Sequence, residues 1–387
     1  MPIITNKNKT ACPLDKLFVS AQELESIAFR YPTPFYLFDE DTIIRSIAET
    51  RNAFPFCGHF VPVSVCRQRK ILRLLRQQGV GVLCSSPAEL QLAISCGFSG
   101  KGLRYAAVLT DDDVAARLRD LDATLLLSSP LTLPRVLPKR VDFLCYVPHM
   151  SNAVLAPANL KHTHLGIKTE EIAVLASTVR RLGAESLGLA MPSGDKNLKE
   201  EFLAAKAEAL LSVAEELHTA AEISVDRLYL GGGLGLEYHR TRPQPDAEKA
   251  AALLQKAIAA AEQPAVDLAL WQRMMEPTAL LVTSVLGAYE RSRQTVAVNV
   301  SSHETIVSHP EHYRYITVPG KEWIENRVYC DVIGSRGDRC DWLTRQAIIP
   351  QVEAGELLVF QDTGCCVPPM GTALCLLRSH DGTVTEL

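Results

Sequence analysis

Hydrophobic and polar positions fall into two textures along the chain. Between about residues 40 and 285, short apolar runs alternate with stretches of helical period. The runs are HFVPVSV (59–65), VGVLCSS (80–86), LRYAAV (103–108), TLLLSS (124–129), VDFLCYV (141–147), SLGLAM (186–191), RLYLGGG (227–233) and WQRMMEP (271–277). Most are nearly continuous in apolar character, which is the pattern of parallel strands covered on both faces. Among the intervening stretches, RKILRLLRQQG (69–79) puts Ile71, Leu72, Leu74 and Leu75 on one face and stops at Gly79. EEFLAAKAEALLSVAEELHTA (200–220) is a longer amphipathic helix, and residues 242–262 are alanine-rich and helical. Eight such units outline an α/β fold, a (β/α)8 TIM-like barrel.

After about residue 285 the pattern turns strand-rich and loses long helices. QTVAVNV (294–300), YRYITVPG (313–320), ENRVYCDVIG (325–334), ELLVFQDTG (356–364) and ALCLLRS (373–379) are separated by turn residues, as in an all-β unit. The expected organisation is a barrel over residues 40–285, with residues 1–39 and 286–387 forming a β-domain. No linker marks the change, so close packing of the two is expected.

Composition narrows the function. The chain has 387 residues, 47% of them hydrophobic and 22% charged, enough for a sizeable core. A formal net charge of -4, with no long basic run, argues against a nucleic-acid partner. No apolar stretch is long enough to span a membrane, and MPIITNKNKTACPLD lacks the apolar core of a secretory signal, so a cytoplasmic protein is expected. Eleven cysteines include no CxxC pair, and Cys84 and Cys145 sit inside apolar runs, so they read as small buried hydrophobes and no metal is expected. The vicinal Cys365–Cys366 and the pair His309/His312 are the clusters left over; two histidines supply too few ligands for zinc. Arg336-Gly337-Asp338 reads as an accidental tripeptide.

Five phrases, in order, resemble the fold-type III pyridoxal-phosphate (PLP) decarboxylases of ornithine, diaminopimelate and arginine, which share the alanine racemase/decarboxylase-like architecture. They are Thr33-Pro34-Phe35-Tyr36-Leu37-Phe38-Asp39, GFSGKGLRYAA (97–107), Leu230-Gly231-Gly232-Gly233-Leu234-Gly235, Glu276-Pro277, and the run from Gly355 to Gly364, GELLVFQDTG. The resemblance implies that Gly231, Gly232 and Gly233 cradle a phosphate, since missing side chains let backbone N–H groups approach an anion. It implies that Glu276 faces the cofactor's pyridine nitrogen and that Ser86, the family's second-strand serine, lies at the cofactor.

The same resemblance exposes departures. Counting back from the shared LRLL (72–75), Ser64 stands where the family has its Schiff-base lysine, and a hydroxyl cannot form an imine. Pro192 falls where the family has a ring-stacking histidine, Ala279 at its phosphate-binding arginine, Leu83 at an aspartate, and Cys366 at a tyrosine. Gly337 aligns with a catalytic cysteine, with Cys340 the nearest thiol, while Asp338 and Asp341 remain candidate catalytic groups lining the cleft.

Two functions fit. One is an atypical family member, in effect a pseudoenzyme subunit, forming a homodimer or pairing with an active paralogue that it regulates. The other is an amino-acid-metabolising enzyme with altered chemistry, using a relocated lysine such as Lys196, PLP held non-covalently, or another phosphate-bearing ligand, with His164 among the groups lining its cleft. An amino-acid-like small molecule is the expected ligand.

Overall fold

The computed structural model of the chain describes residues 17–130, 133–146, 165–193, 197–237, 243–259, 264–290, 293–305, 316–365 and 373–387. The chain divides into two compact units, one of residues 47–237 and 244–273 and the other of residues 1–46, 238–243 and 274–387.

The first unit is a closed barrel of eight parallel strands. In chain order, after a strand β1 (Phe35–Asp39) that belongs to the other unit, these are β2 (Cys57–Pro62), β3 (Gly81–Cys84), β4 (Leu103–Ala107), β5 (Thr124–Leu127), β6 (Arg140–Leu144), β7 (Ser186–Ala190), β8 (Arg227–Gly231) and β9 (Ala265–Leu268). Parallel neighbours need long crossovers, and helices supply most of them. After α1 (Ala21–Arg30) and α2 (Glu40–Ala53), the series continues with α3 (Arg69–Gln77), α4 (Pro87–Ser95), α5 (Asp112–Asp120), α6 (Thr169–Arg181), α7 (Phe202–Ala221) and α8 (Ala247–Ile258).

Local chemistry starts these helices. Ser86 caps α4 by accepting from the Glu89 N–H, with Pro87 at the first helical position, and Asp111 and Asp246 cap α5 and α8 in the same way. Helix α3 buries Ile71, Leu72, Leu74 and Leu75, the four residues its periodicity selects.

Seven barrel strands overlap the predicted runs, but the eighth does not. WQRMMEP is a short helix, α9 (Trp271–Met275), followed by a 3-10 turn over Glu276–Thr278. The closing strand is β9, which pairs with both β2 and β8. Helical spacing explains the correction: Met274 and Met275 are buried, three and four residues after Trp271. The first run is also shorter than expected. It leaves the barrel at Pro62 and continues as a 3-10 turn, Val63–Val65.

The barrel interior holds two layers. Toward the strand starts, Arg104 on β4 is 1% exposed and ion-pairs with Asp142 on β6 and Asp267 on β9. Its guanidinium carbon lies 4.7 Å from the ring centres of both Phe60 and Tyr229. Arg227 adds a two-pronged contact to Asp142 Oδ1, at 2.9 and 2.7 Å. Gly58 and Gly188 make room, since a Cβ on either would collide with the Asp267 or Asp142 carboxylate. Above this layer, Phe60, Leu126, Leu144, Ala190, Tyr229 and Ala269 form an apolar core.

The second unit is a nine-stranded sheet. Its further strands are β10 (Ala279–Glu290), β11 (Gln294–Val298), β12 (Ile316–Thr317), β13 (Arg327–Ile333), β14 (Trp342–Pro350), β15 (Leu357–Phe360), β16 (Leu374–Arg378) and β17 (Val384–Glu386). The order is β14-β13-β11-β10-β1-β16-β17, with β15 pairing both β10 and β12. The N-terminal β1 runs antiparallel to β10 and parallel to β16. Helix α1 covers this centre, burying Leu24 and Ile27 against Phe35, Leu37, Leu280, Val282, Val359 and Leu376.

Candidate functional site

In barrels of this kind, the loops after the strands carry the chemistry and the strand starts carry stability. Four of these loops hold the residues singled out from sequence. Ser64 sits in the 3-10 turn that follows β2, and it is exposed. Ser86, after β3, is spent as the cap of α4. One turn later, the buried Glu89 accepts from the Ser85 N–H at 2.8 Å and its hydroxyl at 2.9 Å, and meets Arg67 Nη2 at 3.0 Å. The end of β3 is thus an ionic and hydrogen-bonded knot of Arg67, Ser85 and Glu89.

The ends of β7 and β8 form a second cluster. The chain turns sharply after β8, with φ of 62° at Gly231 and 149° at Gly233, conformations that glycine adopts at little cost. A Cβ at Gly231 would approach the Met191 carbonyl oxygen to 2.9 Å, so the two loops lie backbone against backbone. The Gly232 N–H donates to Ser193 Oγ at 2.8 Å, which uses one of the donors expected for a phosphate.

Beneath this pair of loops lies a residue that sequence reading passed over. Lys206, on α7, is fully buried, and its ammonium donates at 2.8 Å to each of three carbonyl oxygens, those of Pro192, Leu230 and Gly232. Its Nζ also lies 4.8 Å from the centre of the Phe202 ring. The signal was there in the helical spacing. Phe202, Leu203, Lys206 and Leu210 share one face, so the lysine occupies a position that otherwise carries buried apolar side chains.

The remaining predicted residues belong to the sheet unit. Glu276 is 1% exposed, in the turn before β10. Its carbonyl accepts from the Gly364 N–H at 3.1 Å, while the Thr363 hydroxyl and N–H bond the Ala279 carbonyl at 3.0 and 3.1 Å. A Cβ at Gly364 would overlap the Met275 carbonyl, so the Glu-Pro and Asp-Thr-Gly phrases pack backbone to backbone. Asp341 is buried and clamps its own loop, accepting from the Ser302 N–H at 2.6 Å, the Ser302 hydroxyl at 2.8 Å and the Arg336 N–H at 2.9 Å. Burial alone would raise its carboxyl, but these donors outweigh burial and hold it below the ordinary value. Asp338 lies at the surface, 3.4 Å from His303 Nε2, and accepts from the Cys340 N–H. His164, Lys196, Cys366 and the pair His309/His312 lie outside the described residues. Among the described residues no His, Cys, Asp and Glu cluster could hold a metal, and no helix is long and apolar enough to cross a membrane.

Known proteins resemble the chain throughout. At 24% identity it aligns with Protein TabA of Pseudomonas amygdali pv. tabaci, over 94% of this chain and 90% of that one. Diaminopimelate decarboxylase of Methanothermobacter thermautotrophicus is 22% identical over 90% of this chain and 85% of its own. Among solved structures, diaminopimelate decarboxylase from M. jannaschii in complex with L-lysine superposes with a TM-score of 0.80 at 15% identity, covering 93% of this chain and 90% of that one. At that identity the likeness establishes the fold.

A cradle of glycines that side chains would fill suits the phosphate end of pyridoxal phosphate. Among the described residues, the turn after β2 offers a hydroxyl, and Lys206, the one buried lysine, donates to three carbonyls. Residues 40–277 match the family described as pyridoxal-dependent decarboxylase, pyridoxal binding domain, and the chain belongs to that family.

Proposed function

We propose that this chain is an atypical member of the pyridoxal-dependent decarboxylase family. It binds a phosphate-bearing ligand non-covalently at Gly231–Gly233 and works as a pseudoenzyme subunit, paired with a second copy or with an active paralogue that it regulates. The observation that carries this reading is the hydroxyl of Ser64 at the turn leaving the first barrel strand, the place that resemblance gives to the family's lysine. An amine in that place attacks a carbonyl and holds the product as an imine; a hydroxyl has no second proton to lose and cannot. Family relatives named for diaminopimelate and for lysine/ornithine suggest an amino-acid-like molecule as the second ligand.

The residues act by binding and orienting. The glycine turn presents backbone donors apart from the Gly232 N–H, which Ser193 Oγ accepts, and the knot of Arg67, Ser85 and Glu89 fixes the entry to α4.

The test is spectroscopic. Purified protein mixed with PLP is expected to show no Schiff-base absorbance, and borohydride should leave no cofactor on the chain. Ser64→Lys alone should restore little decarboxylase activity, since residues that act as one catalytic unit are strongly non-additive. A yellow protein with PLP fixed by borohydride on a lysine such as Lys196, or brisk turnover of a diamino acid, would replace this reading with the relocated-lysine enzyme.

A further inference from the structure

We infer that Lys206 is the positioning residue of the anion site, a buried cation that aims the donors of the Gly231–Gly233 loop and supplies its positive charge from behind. The inference rests on the proposal that this loop holds a phosphate.

The argument starts from peptide geometry. A trans peptide unit is planar, with its C=O and N–H pointing in opposite directions. The carbonyls of Pro192, Leu230 and Gly232 all point at the Lys206 ammonium, 2.8 Å away in each case. The N–H groups of the same three peptide units, those of Ser193, Gly231 and Gly233, therefore point away from it; that of Gly231 continues the β8–β9 ladder, which leaves those of Ser193 and Gly233 for the anion. One ammonium thus sets the orientation of peptides from two neighbouring loops and turns their positive ends to the opposite side. These loops are the ones that β7 and β8 send out of the barrel at the ends where ligands bind.

Electrostatics adds to orientation. Three carbonyl dipoles converging on one point would repel one another without a cation between them, and the charge makes the convergence favourable. The whole side chain is buried, so its field is weakly screened by water and reaches an anion on the far face of the loop. Phe202 supports the arrangement from below, its ring 4.8 Å from Nζ, and a Cβ at Gly233 would press on that same ring. Lysine suits the task because its compact ammonium offers three donors that diverge to three separate carbonyls. An amine holding three such bonds is protonated and has no lone pair for a nucleophile's role.

Inorganic phosphate is the probe. Its binding to the full-length protein is measured by titration calorimetry, with selective ¹⁵N-glycine labelling to follow the Gly233 amide. Lys206→Met and Lys206→Gln are expected to weaken phosphate binding about tenfold or more, and Lys206→Arg to recover part of the loss. Gln keeps two N–H donors without the charge. If Lys206→Gln binds phosphate as the unmodified protein does, the residue is only a tie between loops and the inference falls. If Lys206→Met fails to fold, the comparison of Gln with Arg decides the matter by the same criterion. An unmodified protein that shows no phosphate response at Gly233 overturns the ligand reading itself, and this inference with it.

Discussion

At Asp341, position in the chain and work in the fold part company. The residue stands in a loop that resemblance assigns to catalysis, yet its carboxylate is taken up by Ser302 and Arg336 donors of its own unit. A carboxyl held below its ordinary value stabilises the fold at pH above that value, and the contribution fades as pH falls through the folded value. The hold on residues 334–341 should therefore persist at neutral pH and weaken only below about pH 4. Asp341→Asn should cost about 2 kcal/mol in denaturant titration and expose the loop to proteases at neutral pH; an unchanged midpoint would count against the clamp. Cysteines offer a second check. Burial pushes the thiols of Cys57, Cys84, Cys145 and Cys330 up to about 12, whereas Cys340 is exposed. Iodoacetamide on the folded protein should modify Cys340 and reach Cys84 and Cys145 only after unfolding. Their reading as buried hydrophobes was available from the apolar runs around them. Lys206 was not, because charge alone sends a lysine to the surface in any pattern argument, and only coordinates show three carbonyls waiting for it.

For whole elements, the hydrophobic pattern did well where strands are apolar and failed where a charge enters the barrel. Strand β9 has four residues, one of them Asp267, whose carboxylate pairs with Arg104 across the interior. So short a segment with an acid in it does not read as a covered strand. Trp271–Met275 mimics a strand in the sequence because it leads into Glu276-Pro277 and is rich in large apolar side chains. Charges sealed inside a barrel have an energetic consequence. Removing one member of a buried ion group strands the others, at a cost of about 3–5 kcal/mol. Arg104→Met should reduce stability by that amount, since it leaves Asp267 without its ion-pair partner. Arg227→Met should cost less, because Asp142 keeps Arg104. Urea midpoints for the two variants check the order, and equal losses would argue against it.

For the molecule as a whole, the alternation of the barrel and the later strand-rich texture were both legible. The central role of the N-terminal segment was not. Strand β1 is buried at all five positions and lies between β10 and β16, a pairing that no local pattern announces. The proposed subunit role makes its own forecast here: light scattering should find two chains together, or purification should bring down a paralogue. A lone monomer at micromolar concentration would remove that part of the proposal.

The position of β1 also sets a schedule for synthesis. Phe38 pairs with Ala279, so about 240 residues must be added before its partner exists, on the order of tens of seconds at ribosomal speed. During that interval Phe35-Tyr36-Leu37-Phe38 is an apolar strand with two vacant edges, the kind of segment that recruits other chains. A fragment truncated at Arg273 should consequently sediment from lysates, and Leu37→Glu in that fragment should keep more of it dispersed. In the full-length protein the same change should do the reverse, because there it buries a carboxylate between β10 and β16.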